Sequence, residues 1–265
     1  MQVYVENGNL GAGEVGKLQH TFLEVREVHF RPLQIVEETG DKSLMTYLMD
    51  MGTPIPIGVY IWLVEGASKN VLIDTGCSAD YLTGLGYPST QISTQEAALE
   101  KVGLSVDDIN LVILTQLHCD HAKDAGKFKN ATFVVQKSEL AFAANPHPIQ
   151  AGWFVDLPKD RVQIVNGDQE ILDGIRVIHT PGHTPGGQSV LIETEKGIVG
   201  LCGLCTIREN LYPPEALRQL GLRAITPGIH TNAMQAYDSL IKLLNLSDQV
   251  IALHEAAYAT MEHLP

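Results

Sequence analysis

The chain is short of cysteine, of positive charge and of long apolar runs. Its four cysteines, Cys77, Cys119, Cys202 and Cys205, are too few and too scattered for a disulfide framework. No apolar run reaches the roughly 18 residues that a membrane-spanning helix needs. The opening MQVYVENGNL lacks the basic segment and apolar stretch of a secretory signal. A cytoplasmic, reducing setting is therefore expected, with no membrane partner. Lys and Arg number 18 against 31 Asp and Glu, a formal charge of −13. Such a surface repels phosphate backbones and anionic lipid, which argues against nucleic acid and favours a small neutral or cationic substrate. No low-complexity tract or Pro/Ser-rich linker divides the sequence, so a single domain over 1–265 is expected. With 45% hydrophobic and 18% charged residues, it can fill a sizeable core.

What is present alternates between strands and helices. VYIWLVEG and Val71-Leu72-Ile73, joined by the polar turn Ser68-Lys69-Asn70, read as a hairpin that runs into Asp74-Thr75-Gly76. A helix is expected over 94–102, with Ser93 and Glu96 as a capping box and Gly103 as the stop. The branched run 109–114 reads as a buried strand, followed by a strand near 133–135 and a short helix near 138–144. Further strands are expected at 162–165, 175–179, 189–193 and 198–202. A helix over 233–244 and a last strand at 250–253 complete the pattern. Strands and helices without strict βαβ alternation suggest two mixed sheets packed face to face, with helices outside.

Three segments carry the chemistry. In TQLHCDHAKDAG, His118, Asp120 and His121 crowd within four residues at a strand end. Such a cluster is costly without a shared partner, and a divalent metal supplies one. A solvated polar loop is the alternative. His179-Thr180-Pro181-Gly182-His183-Thr184-Pro185-Gly186 makes tight turns with His183 at the tip. His254 follows the last strand.

Together these segments resemble the metallo-β-lactamase superfamily. Its loop-borne H-x-H-x-D-H, later GHT histidine and C-terminal strand-end histidine are matched in order over 116–121, at His183 and at His254. Val71 to Gly76 resembles its early LIDTG strand. The resemblance spans about residues 55–256. The HTPGHTPG stretch, Arg208-Glu209-Asn210 and the overall length look most like N-acyl homoserine lactonase-like hydrolases. The resemblance implies an αββα sandwich with a metal site at one edge. It implies one ion held by His118 and His183 and a second held by Asp120, His121 and His254. Zinc is the implied metal, as one or two ions, with iron or manganese as alternatives. The implied chemistry is hydrolysis of a carbonyl compound by a metal-activated water, with Asp120 orienting that water or moving a proton.

The sequence departs from the family pattern in two places. Gln116 stands where the first histidine is expected, and a carboxamide oxygen binds zinc more weakly than imidazole does. The family's metal-bridging aspartate has no counterpart, because residues 198–205 contain no Asp or Glu. Cys202 or Cys205 falls near that position. Each is either a thiolate ligand, Cys205 more than Cys202, or a small buried hydrophobe. The C-x-x-C spacing of the pair carries little, since nothing else suggests a redox or ribbon fold. Asp74 is expected to fix its loop through backbone amides rather than to bind metal. Loop residues His147, Trp153 and His230 are candidates for contacting substrate, with Trp153 as part of an apolar wall or lid. Tyr212 lies slightly beyond the place where lactonase relatives carry a tyrosine.

Three functions follow. The first is hydrolysis of a small cyclic ester or amide, extending to thioester or β-lactam. The second is an oxidoreductase using a metal such as iron. The third is a non-catalytic binding module. Partners are limited to a small molecule, and a homodimer is allowed.

Overall fold

A computed structural model describes residues 28–148, 150, 152–155 and 157–264. The opening segment read for a secretory signal lies outside the described residues. Seven strands form one sheet: β1 (His29–Asp41), β2 (Pro54–Glu65), β3 (Val71–Ile73), β4 (Ser89–Gln91), β5 (Leu111–Ile113), β6 (Thr132–Gln136) and β7 (Val162–Val165). Their spatial order is β4-β1-β2-β3-β5-β6-β7. The second sheet holds β8 (Gln169–Leu172), β9 (Ile175–His179), β10 (Gln188–Thr194), β11 (Gly197–Leu201) and β12 (Gln249–Ile251), in the order β12-β11-β10-β9-β8.

Three buried layers show why the sheets stack. Alternate residues of β2, β3 and β5 (Trp62, Val64, Val71, Ile73, Leu111, Ile113) meet Val177, Val190, Ile192, Val199 and Leu201 from the other sheet. The opposite residues (Ile61, Leu63, Leu72, Val112) pack under the helices of the first sheet's outer face. Helix Ala233–Leu246 covers the outer face of the second sheet through Ala236, Leu240 and Leu243. Both sheet faces are thus apolar, so each strand must be covered twice. The result is the expected αββα sandwich.

The hairpin β2–β3 is antiparallel, with Leu63 opposite Leu72. The helix expected from residue 94 runs Gln95–Glu100 and is capped by Thr94, whose hydroxyl accepts from Ala97 N. Ser93 does not cap it, because its own amide still donates to Ile35 O of β1. The last strand stops at Ile251, so His254 stands in the turn that follows. Strands β1 and β8 lack a clear signal in the sequence. Strand β1 mixes Pro32, a shift in register between Gln34 and Val36, and two adjacent glutamates, which blurs its alternation.

Chain direction decides where the functional loops gather. β3, β5 and β6 run parallel, as do β11 and β12. The loops after β3, β5, β11 and β12 therefore leave from C-terminal strand ends, as does the loop after β9. Gln188 joins the two sheets at this edge: its amide N–H donates to Thr115 O at 2.8 Å and its Nε2 to Leu114 O at 2.7 Å. The loop after β9 is seated by two close approaches. A Cβ on Gly182, at φ +127°, would lie 2.2 Å from Ala236 N; one on Gly186 would lie 2.0 Å from Glu139 N. Gly186→Ala should therefore cost about 2 kcal/mol or more of folding stability through backbone overlap. A urea-unfolding midpoint equal to wild type would contradict that seating.

Candidate metal centre

The loop after β5 is anchored before it reaches its histidines. Asp74, at φ +61°, accepts from Thr115 N at 2.7 Å and from Thr115 Oγ1 at 2.8 Å. It holds the loop by hydrogen bonds, as its position before Thr-Gly suggests. Buried Glu139 of helix Lys137–Ala144 accepts from Leu117 N and Gly186 N, both at 3.0 Å. One carboxylate thereby ties the His118 loop to the His183 loop. His118 N-caps the short helix Cys119–Ala122, which turns Asp120 and His121 back toward the sheets.

The imidazoles are oriented by acceptors behind them. His183 Nδ1 donates to Ile229 O at 2.7 Å, and His254 Nδ1 donates to Gly58 O at 3.0 Å. A carbonyl can only accept, so each proton sits on Nδ1 and Nε2 keeps its lone pair. His121 Nδ1 lies 2.8 Å from Asp74 Oδ2, the carboxylate–histidine arrangement that orients metal ligands. The rings form two edge-to-face pairs: His118 with His183, centroids 4.9 Å apart, and His121 with His254, 5.1 Å apart. Asp120 Oδ2 sits 2.9 Å from His121 Nε2 and 3.8 Å from His254 Nε2.

The electrostatics favour a cation. Burial, then the neighbouring His183, holds His118 well below the usual histidine range. Burial pushes His183 and His254 each down to about 4, so both are neutral near pH 7. His121 is the exception. Burial alone would lower it, but the charges of Asp120 and Asp74 outweigh that and raise it to about 10. Asp120 is held below the usual carboxylate range, since the adjacent His121 and His254 outweigh the cost of burying it.

Nε2 of His118, His183 and His254 and both amide atoms of Gln116 are buried without a hydrogen-bond partner. Each unsatisfied group costs about 1–3 kcal/mol. A divalent cation can take the lone pairs of the imidazole Nε2 atoms and of the Gln116 carboxamide oxygen, though not the Gln116 NH2, so the residues fit a metal. Asp120, His121 and His254 bring one donor atom each within 4.8 Å of one another. A second group with this property is His29, Glu65 and His263. There the Arg31 guanidinium already lies 2.9 Å from Glu65 and balances its charge.

Six of the expected ligands line one open cavity: His118, Asp120, His121, His183, His254 and Cys205. Gln116 lies buried in the same loop, outside the lining. Cys202 packs in the helix-side core with Leu191 and Leu240, whereas Cys205 contacts Met45, its Sγ 3.5 Å from Met45 Sδ. Burial raises the Cys205 thiol well above its ordinary value. Trp153 joins the wall, its ring edge-on to His118 at 5.4 Å. The other substrate candidates are placed elsewhere. His147 is exposed in its loop. His230 is turned away, bonded to Pro227 O at 2.7 Å and set edge-on to Tyr47. Tyr212 is exposed beneath the Arg208 guanidinium. Sequence reasoning missed Glu38, Met45 and Tyr87 on the wall. Glu38 shares a strand face with buried Val36, so a charge at that inward position was the available signal.

The metallo-beta-lactamase superfamily profile matches residues 54–253. The chain belongs to that superfamily. Among its relatives is an N-acyl homoserine lactonase from Bacillus sp, 32% identical over 168 residues, covering 59% of this chain and 66% of that protein. Another is N-acyl homoserine lactonase AttM from Rhizobium radiobacter, 36% identical over 104 residues, covering 36% of this chain and 40% of that protein. The chain thus aligns to just under two thirds of the first relative's length. Among solved structures, AiiA from B. thuringiensis with N-decanoyl-L-homoserine at its active site superimposes with a TM-score of 0.71. It is 25% identical, and the match covers 91% of this chain and 99% of AiiA.

Because Asp74 sets the His121 ring, Asp74→Asn should weaken metal binding by about 10- to 100-fold. Chelator competition on the purified protein reads this directly; unchanged affinity would remove Asp74 from the orienting role.

Proposed function

We propose that the chain is a metal-dependent hydrolase of a small cyclic ester, with cyclic amides and thioesters as related substrates. The observation that carries this reading is the pair of imidazole couples around Asp120, in which Nε2 of His118, His183 and His254 is buried and unpartnered and Nε2 of His121 meets Asp120 at 2.9 Å. His118 and His183, with Gln116, would hold one ion; Asp120, His121 and His254 would hold another. Zinc suits these donors, and iron or manganese accept the same set. When bound, the metal supplies acidity to a water and polarises a carbonyl oxygen. The chain's own residues do the rest. Ile229 O, Gly58 O and Asp74 hold the rings still, and Asp120 is placed to move a proton toward the leaving group. Trp153, Leu82 and Ile57 present an apolar wall that limits water around the substrate. The kinship with N-acyl homoserine lactonases supports a lactone as the first substrate to try.

Gln116 and the absence of a carboxylate over 198–205 favour a second reading, a redox-active iron centre. Dioxygen consumption by iron-loaded protein would distinguish it. For the hydrolase, a panel of lactones, lactams and thioesters should give chelator-sensitive turnover. His121→Ala should lower kcat/KM by about a thousandfold or more, as loss of a metal ligand does. Metal-replete protein that turns over no member of the panel sinks the reading. Cys205 is the cysteine whose cavity position supports sulfur ligation. Cobalt-loaded protein should then show a thiolate-to-cobalt absorption that Cys205→Ser lacks. Identical spectra would leave Cys205 as part of the wall alone.

A further inference from the structure

One wall of the cavity carries a carboxylate that the metal centre does not use. Glu38 lies on β1, in register with Ile57 of β2 and Ser89 of β4. It is partly buried, on the same wall as Met45, Leu82 and Tyr87. Among the described residues its side chain has no hydrogen-bond or ion-pair partner. The cavity lining contains no Lys or Arg that could turn toward it. The other carboxylate in the cavity, Asp120, is engaged by His121 at 2.9 Å. Glu38 is therefore the charged group left to meet whatever enters.

We propose that Glu38 is the recognition residue of this cavity. It selects small molecules that bear a protonated amine, or a comparable N–H cation, beside an apolar spacer. This deepens the hydrolase reading and rests on it for the reacting carbonyl, which would lie toward the histidines. A carboxylate in partly apolar surroundings gains more from a cation than from a neutral group, because water screens the pair less. Burial first, and the charge of Asp120 second, push the Glu38 carboxyl up to about 7. An incoming cation would offset the cost of burying that charge. Ile57, Leu82 and Met45 suit an alkyl spacer, and the Tyr87 ring on the same wall suits a cationic head. The overall charge of −13 raises the local concentration of cations.

The test is calorimetric and needs no turnover. Metal-replete wild type and E38Q are titrated with n-hexylammonium and with 1-hexanol, which share the alkyl chain and differ in the head. Wild type should bind hexylammonium about tenfold more tightly than hexanol, the worth of a charge-assisted hydrogen bond. E38Q should lose that preference while its hexanol binding is unchanged. E38A gives the same comparison should E38Q not fold. A preference that survives in the variants would overturn the proposal, as would a wild type that shows none. Neither probe has a hydrolysable bond, so the result separates from the lactone panel. An ammonium preference abolished by E38Q in a protein that hydrolyses no lactone would support Glu38 and sink only the hydrolase reading.

Discussion

The Asp74 carboxylate is the constraint on which the site depends. It is fully buried, it holds Thr115 through both amide and hydroxyl, and its second oxygen meets His121 Nδ1 at 2.8 Å. A buried carboxylate is tolerable only when its oxygens are satisfied. Here the groups that satisfy it come from the loop after β5, so stability and orientation share one interaction. If the loop moved, Asp74 would lose its partners; if Asp74 were neutral, His121 would lose its direction.

The same logic extends across the sandwich. Glu139 bonds the His118 and His183 loops to one helix, and Gln188 bonds the ends of the two sheets to each other. Each is a buried polar side chain spanning two elements, which makes the edge of the sandwich rigid before any ligand arrives. Among the buried polar atoms left without a partner, Nε2 of three histidines and both amide atoms of Gln116 belong to this edge. Imidazole nitrogens held in place with their lone pairs free are the donors a preorganised metal site needs. The departures from the family pattern sit at this edge too. Gln116 stands where the pattern has a histidine, and Cys205, from the segment that lacks the pattern's aspartate, lines the cavity.

Much of this was legible in the chain. Residues 116–121, His183 and His254 stand out because histidine and aspartate are costly at strand ends unless something pairs them. The hairpin β2–β3, the strands β5 to β7 and β9 to β11, and helix Ala233–Leu246 follow from periodicity and turn residues. Strand β1 did not, since its irregular register and its glutamates mask the two-residue repeat. With β1 unread, Glu38 and the wall it belongs to could not be placed. The choice between Cys202 and Cys205 was equally closed, because which of them reaches the cavity depends on how the chain turns after β11 ends at Leu201.

Side-chain chemistry and order along the chain determined the superfamily, the sandwich and the kind of atoms offered to a metal, because these depend on local composition and spacing. Tertiary structure alone decided which nitrogen of the His183 and His254 rings is free. The groups that set it, Ile229 O and Gly58 O, are backbone carbonyls distant in sequence, 46 and 196 residues from the histidines they orient. A backbone carbonyl is the same at every residue, so no sequence pattern can mark it. It likewise took the folded chain to put Glu38, Tyr87 and Met45 beside Asp120. A cavity wall is assembled from strands and loops that share no local signal.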